Sequence, residues 1–212
     1  MQYIPNILFL ILLVAGVGYF TKNIRTVIRN IKLGTPVDAS GHKKERGNVA
    51  RIALGQSKLI KRPISGALHA VVYIGFIIIN IEVLEIIIDG LLGTHRIFAF
   101  LGGFYDFLIG SFEILAFLVL VAVVVFWIRR NGIKIKRFLS PEMKGWPKQD
   151  GNIILYFEVV LMCLFLLMNG SDYALQQIGA AHYITAGSYP ISSLFSGIFE
   201  GMSESTLIII ER

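Results

Sequence analysis

Four stretches of this chain are apolar for about as long as a helix must be to cross a hydrocarbon core, roughly 20 residues. They cover residues 4–20, 64–92, 104–128 and 152–173. Lipid offers no partner to a backbone N–H or C=O, so such segments span as helices and not as open strands. The fold class that follows is all-α: an integral membrane helical bundle with four transmembrane helices, in a single membrane domain over residues 1–212. Only 16% of residues are charged, against roughly a quarter in soluble domains. The first stretch has no basic residue ahead of it and no small-x-small site before Lys22, so it reads as a retained helix and not as a signal peptide. In the last third, residues 192–202 are expected to form a short amphipathic helix on the surface, and a fifth helix is expected to start at 206.

The positions of the charges say more than the net +6. Residues 21–63 carry eleven of the 20 lysines and arginines, from Lys22 to Arg62, and 129–150 carry seven more, from Arg129 to Lys148. Residues 93–103 carry Arg96 alone, and 174–203 carry none. Positive loops stay in the cytoplasm. Segments 21–63 and 129–150 are therefore expected inside and the N-terminus outside. The basic charge is absorbed by topology and by contact with lipid headgroups, so nucleic acid is not an expected partner.

The lone Cys163 lies in an apolar run, where cysteine behaves as a small buried hydrophobe. It allows no disulfide within the chain and no iron–sulfur cluster. Metal or haem chemistry would rest on His42, His69, His95 and His182. Three of these fall in loops, where solvation is the simple expectation. His69 lies a few residues into the second apolar stretch, with Tyr73, Phe76 and Asn80 on its face of the helix and Gly66 almost one turn before it. A neutral imidazole there can bind haem iron axially or hydrogen-bond within the bundle, and the spacing leaves both readings open.

Acids occupy the outer half. Glu82, Glu85 and Asp89 recur at i, i+3 and i+7 on the second helix, and Asp106 and Glu113 at i and i+7 on the third. They suggest a proton path or a site for a polar quinone head. Asp89 and Asp106 also suit a water interface. Glu82, Glu85 and Glu113 lie deeper without a nearby basic residue in sequence, so they are expected to be protonated or to face a wet cavity. Glu158, in the inner half of the fourth helix, is a weaker example of the same kind.

The run Gly55-Gln56-Ser57-Lys58-Leu59-Ile60-Lys61-Arg62-Pro63-Ile64-Ser65-Gly66-Ala67-Leu68-His69, continuing through Gly75-Phe76 to Glu82-Val83-Leu84-Glu85, resembles the membrane domain of bacterial heterodisulfide-reductase-like iron–sulfur oxidoreductases. Their membrane part is similar to the nitrate reductase gamma subunit. The resemblance implies a bundle of five helices with an outside N-terminus, b-type haem held by histidines, and electron passage between membrane quinone and a cytoplasmic iron–sulfur protein or downstream domain. It carries over His69 alone as haem ligand. It also implies that this chain is an N-terminal, truncated or split form, with the opposing ligand on a fifth helix that is barely begun. The expected function is thus the membrane electron-transfer module of a quinone-linked oxidoreductase. The alternatives are a cofactor-free anchor for a cytoplasmic partner and a small proton or cation transporter.

Overall fold

The computed structural model describes residues 4–34, 63–133 and 144–211, together with 47, 48, 52, 135, 140 and 141. His42 and most of the first basic segment lie outside the described residues. Four helices are long and apolar enough to cross a membrane: α1 (Ile4–Lys32), α2 (Pro63–Leu92), α3 (Gly103–Trp127, prolonged to Gly132) and α4 (Trp146–Gln177). A short α5 (Glu204–Glu211) follows. Among the described residues there is no strand. The chain is an all-α, multi-pass membrane helical bundle.

The helices outrun the apolar stretches. α1 continues through the basic residues to Lys32, and α4 begins at Trp146 with Pro147 in its first turn. Basic residues do not stop a helix, and proline is tolerated at its start. A five-residue π turn, Ile128–Gly132, ends α3. Residues 192–198 wind as a 3₁₀ turn, and not as the amphipathic α-helix expected over 192–202. The reason is a buried anchor, since the backbone at Ser192 is tied to Glu113 of α3.

α2, α3 and α4 pack in sequence, with α1 along α2 and α5 along α4. Small residues set the approach, as they do where lipid gives helices no hydrophobic reason to associate. Phe9 of α1 lies on Gly90, and the Asn6 amide donates to the Gly90 carbonyl at 2.8 Å. Phe199 lies on Gly170 of α4 in the same way. At Gly75, a Cβ would stand 2.6 Å from Val119 Cγ2 of α3. Gly75→Ala is therefore expected to force α2 and α3 apart and to cost about 1–3 kcal/mol, read as a lower melting temperature in detergent.

The core gathers at the end where α2 stops, α3 starts and α4 stops, here termed the loop end. Ile79, Tyr105, Ile109, Phe112, Ala116, Phe165 and Tyr189 form one buried cluster, and Leu175, Ala180, Tyr183, Phe199 and Leu207 a second. Elsewhere large apolar side chains face outward, Phe76 at 66% exposure among them. Cys163 also lies on an outward face and not in the interior.

A buried charged cluster at the loop end

The acidic face of α2 turns into the bundle: Glu82 and Glu85 are buried and Asp89 is half-buried. After α2 the chain reverses through Gly93 (φ 70°) and Arg96 (φ 53°), both left-handed. That turn sends the Arg96 side chain inward, to 7% exposure. Its Nη1 donates to Glu82 Oε1 at 2.9 Å, Nη2 to Asn169 Oδ1 at 2.8 Å, and Nε to Asp172 Oδ2 at 2.8 Å. Nη1 also lies 3.8 Å from Glu85 Oε2. One guanidinium thus ties α2 to α4. Burial works against its charge, but the facing Tyr189, Asp172 and Glu82 outweigh this and hold it above the ordinary arginine range.

The rest of the cluster fills the remaining acceptors. Glu85 accepts from the Phe98 backbone N–H at 2.9 Å and from Tyr105 Oη at 2.7 Å. Asp172 accepts from Tyr189 Oη at 2.9 Å and from Gln176 Nε2 at 3.2 Å. Burial pushes the Tyr189 hydroxyl up, so it serves as a neutral donor. His95 Nε2 lies 2.8 Å from Asp172 Oδ1, while the Ile184 N–H donates to His95 Nδ1 at 3.3 Å. One ring nitrogen accepts and the other donates, which is the pattern of a neutral imidazole.

This arrangement corrects two expectations. His95 is not a solvated loop residue: its side chain is 7% exposed and bound to Asp172. Glu82 and Glu85 are not remote from basic charge, because Arg96, 14 residues beyond Glu82, folds back onto them. His182 does stay exposed, its ring 6.3 Å from that of His95.

The other acids of the expected path are separate. Asp89 accepts from the Ile97 N–H at 3.3 Å, and the exposed Asp106 from the Gly187 N–H at 2.8 Å. Glu113, fully buried in α3, accepts from the N–H groups of Ile191 and Ser192 at 2.9 and 3.1 Å and from the Ser192 hydroxyl. The five acids therefore act in different places: two on Arg96, and three on loop backbone.

His69 lies far from this cluster, since 13 helical residues separate it from Glu82, about 20 Å along α2. It is half-buried, with the buried Gly66 one turn away, and among the described residues its imidazole has no hydrogen-bond partner. Nearby, Arg129 Nη2 donates to Ser65 at 3.2 Å, fastening α3 to the start of α2. As a haem site the donor set is half complete: one free imidazole, while His95 and His182 belong to the opposite end. Among the described residues no cluster of three or more His, Cys, Asp or Glu side chains forms a metal site.

Sequence reasoning missed Asn169, Asp172 and Gln176. Their spacing of i, i+3 and i+7 within and just past the fourth apolar stretch repeats that of Glu82, Glu85 and Asp89, and was the available signal.

No family model and no solved structure matches the chain. Over 205 residues, 96% of its length, the chain is 29% identical to a Bacillus subtilis (strain 168) protein named "Probable iron-sulfur-binding oxidoreductase FadF". It spans 27% of that protein's length. By this similarity the chain is related to an iron–sulfur-binding oxidoreductase.

Proposed function

We propose that this chain is the membrane electron-transfer module of a quinone-linked oxidoreductase, passing electrons between the quinone pool and a cytoplasmic iron–sulfur partner or domain. The observation that carries this reading is the similarity to an iron–sulfur-binding oxidoreductase along almost the whole chain, spanning helices included. One cysteine cannot hold a cluster, so any cluster that serves this chain is carried by another chain or domain. The two basic segments set the orientation in a bacterial inner membrane, with the N-terminus and the loop end outside.

On this reading His69 would hold haem b from this chain, and a partner would supply the further ligand. Haem held there would supply one-electron redox chemistry. This chain contributes the imidazole and a half-buried setting on α2. The protein purified with its partner is expected to give the reduced-minus-oxidised absorbance band of a b-type haem, and His69→Ala is expected to abolish it. Full absorbance in His69→Ala would remove the ligand assignment. The competing reading is a cofactor-free anchor, since His95 and His182 lie together at the loop end and not beside His69. Absence of haem from the partner-bound protein would decide for that anchor.

A further inference from the structure

The chain after α4 does not stay above the bundle. Gly110 of α3 lies against Ser188, where a Cβ would stand 3.4 Å from the Ser188 Cβ. Glu113 holds the backbone of Ile191 and Ser192. Gly110 and Glu113 follow the start of α3 at Gly103 by about 10 and 15 Å along the helix. At that level α3 turns Phe107 and Ile114 outward, 68% and 47% exposed, as a lipid-facing helix does. Residues 188–192 thus dip to the loop-end edge of the apolar band. Non-helical backbone is tolerated at such a depth only where protein covers it or where it lines a cavity.

Here it lines one. A cavity of about 360 Å³ opens between the end of α4 and residues 185–193, a volume within the roughly 300–1,000 Å³ of small-molecule sites. Tyr173 of α4 and Tyr189 of the loop form an aromatic wall, their ring centroids 5.6 Å apart. Gln176 and Tyr189 are already engaged, since both donate to Asp172. Tyr173, Gln177, Thr185 and Ser188 also line the cavity, and among the described residues their side chains have no hydrogen-bond partner. All four can donate. No charged side chain among the described residues lines the cavity. A metal ion, a phosphate or a carboxylate would find no counter-charge there. A neutral planar ring with acceptor oxygens fits both the aromatic wall and the free donors.

We propose that this cavity binds the ring of a membrane quinone, with Tyr173 and Tyr189 flanking the ring and Tyr173, Gln177, Thr185 and Ser188 as donors to its carbonyl oxygens. The five acids expected on a proton or quinone path do not line it. This site deepens the quinone-linked reading, on which it rests, by giving the quinone a place.

The test uses the full chain in lipid nanodiscs and a photoactivatable azido-naphthoquinone with a prenyl tail. Adducts are expected within residues 173–193, suppressed by an excess of the unmodified naphthoquinone. Thr185 is exposed, so Thr185→Trp places a bulky ring in the cavity and is expected to melt within about 2 °C of the parent. It is expected to reduce the adducts by about tenfold or more. Tyr173→Phe keeps the ring, removes one donor and is expected to weaken labelling by about three- to tenfold. Adducts scattered over lipid-facing side chains, adducts that the naphthoquinone does not suppress, or full labelling in Thr185→Trp overturn the site. If Thr185→Trp fails to fold, undiminished labelling in Tyr173→Phe overturns it instead. Suppressible adducts beside His69 would remove this site and leave the electron-transfer reading standing. Absence of haem from the partner-bound protein, with labelling kept at 173–193, would do the reverse.

Discussion

Arg96→Ala is expected to lower the stability of the bundle by about 3–5 kcal/mol, the usual effect of removing one partner from a buried ionic pair. The change strips donors from Glu82, Asn169 and Asp172 together. It leaves buried carboxylates without compensation, and α2 and α4 lose the group that joins them at this end. Lysine is not a substitute. Its compact ammonium cannot place separate N–H groups on acceptors from two helices as a planar guanidinium does. Glycine is an instructive control, because Arg96 sits at φ 53°, where a side chain costs about 1–2 kcal/mol. Arg96→Gly relieves that strain and loses the pairing, so it is expected to melt slightly above Arg96→Ala and far below the parent. The measurement is thermal unfolding in detergent. If Arg96→Ala melts within about 2 °C of the parent, the cluster is not what holds this end together.

The cluster explains which parts of the molecule could be read in advance. The spans were legible because lipid demands long apolar runs, and a run of that length has few other uses. The acids of α2 were legible because their spacing repeats with the helical turn. Their partners were not. Arg96 was read as a minor loop charge, since nothing in the composition of 93–103 signals a left-handed arginine that points back into the bundle. Asp172 and Asn169 were absorbed into an apolar stretch whose average hydropathy hides two polar residues. Helix ends were missed for a related reason: lipid limits the apolar part of a helix, while α1 and α4 continue into water where basic residues form helix readily. Pairings such as that of Glu113 with Ile191 span 78 residues, and no local periodicity encodes them.

That last pairing carries a large expected effect of its own. Glu113→Ala is expected to cost about 3 kcal/mol, because it leaves the N–H groups of Ile191 and Ser192 without acceptors, each worth about 1–3 kcal/mol when orphaned in a buried place. Glu113→Gln keeps one acceptor oxygen and is expected to lose less. Faster hydrogen exchange at Ile191 and Ser192, with a lower melting temperature, is the result to look for, and unchanged protection of both amides would refute it. The effect should not stay local. The segment that Glu113 anchors also carries Tyr189, whose hydroxyl donates to Asp172 inside the Arg96 cluster. Loosening residues 189–192 therefore withdraws a donor from that cluster. The losses in Glu113→Ala and Arg96→Ala are then expected to be non-additive in a double-mutant cycle, with a coupling above about 0.5 kcal/mol. Strict additivity would mean that the two polar anchors hold the loop end independently, and that Tyr189 transmits nothing between them.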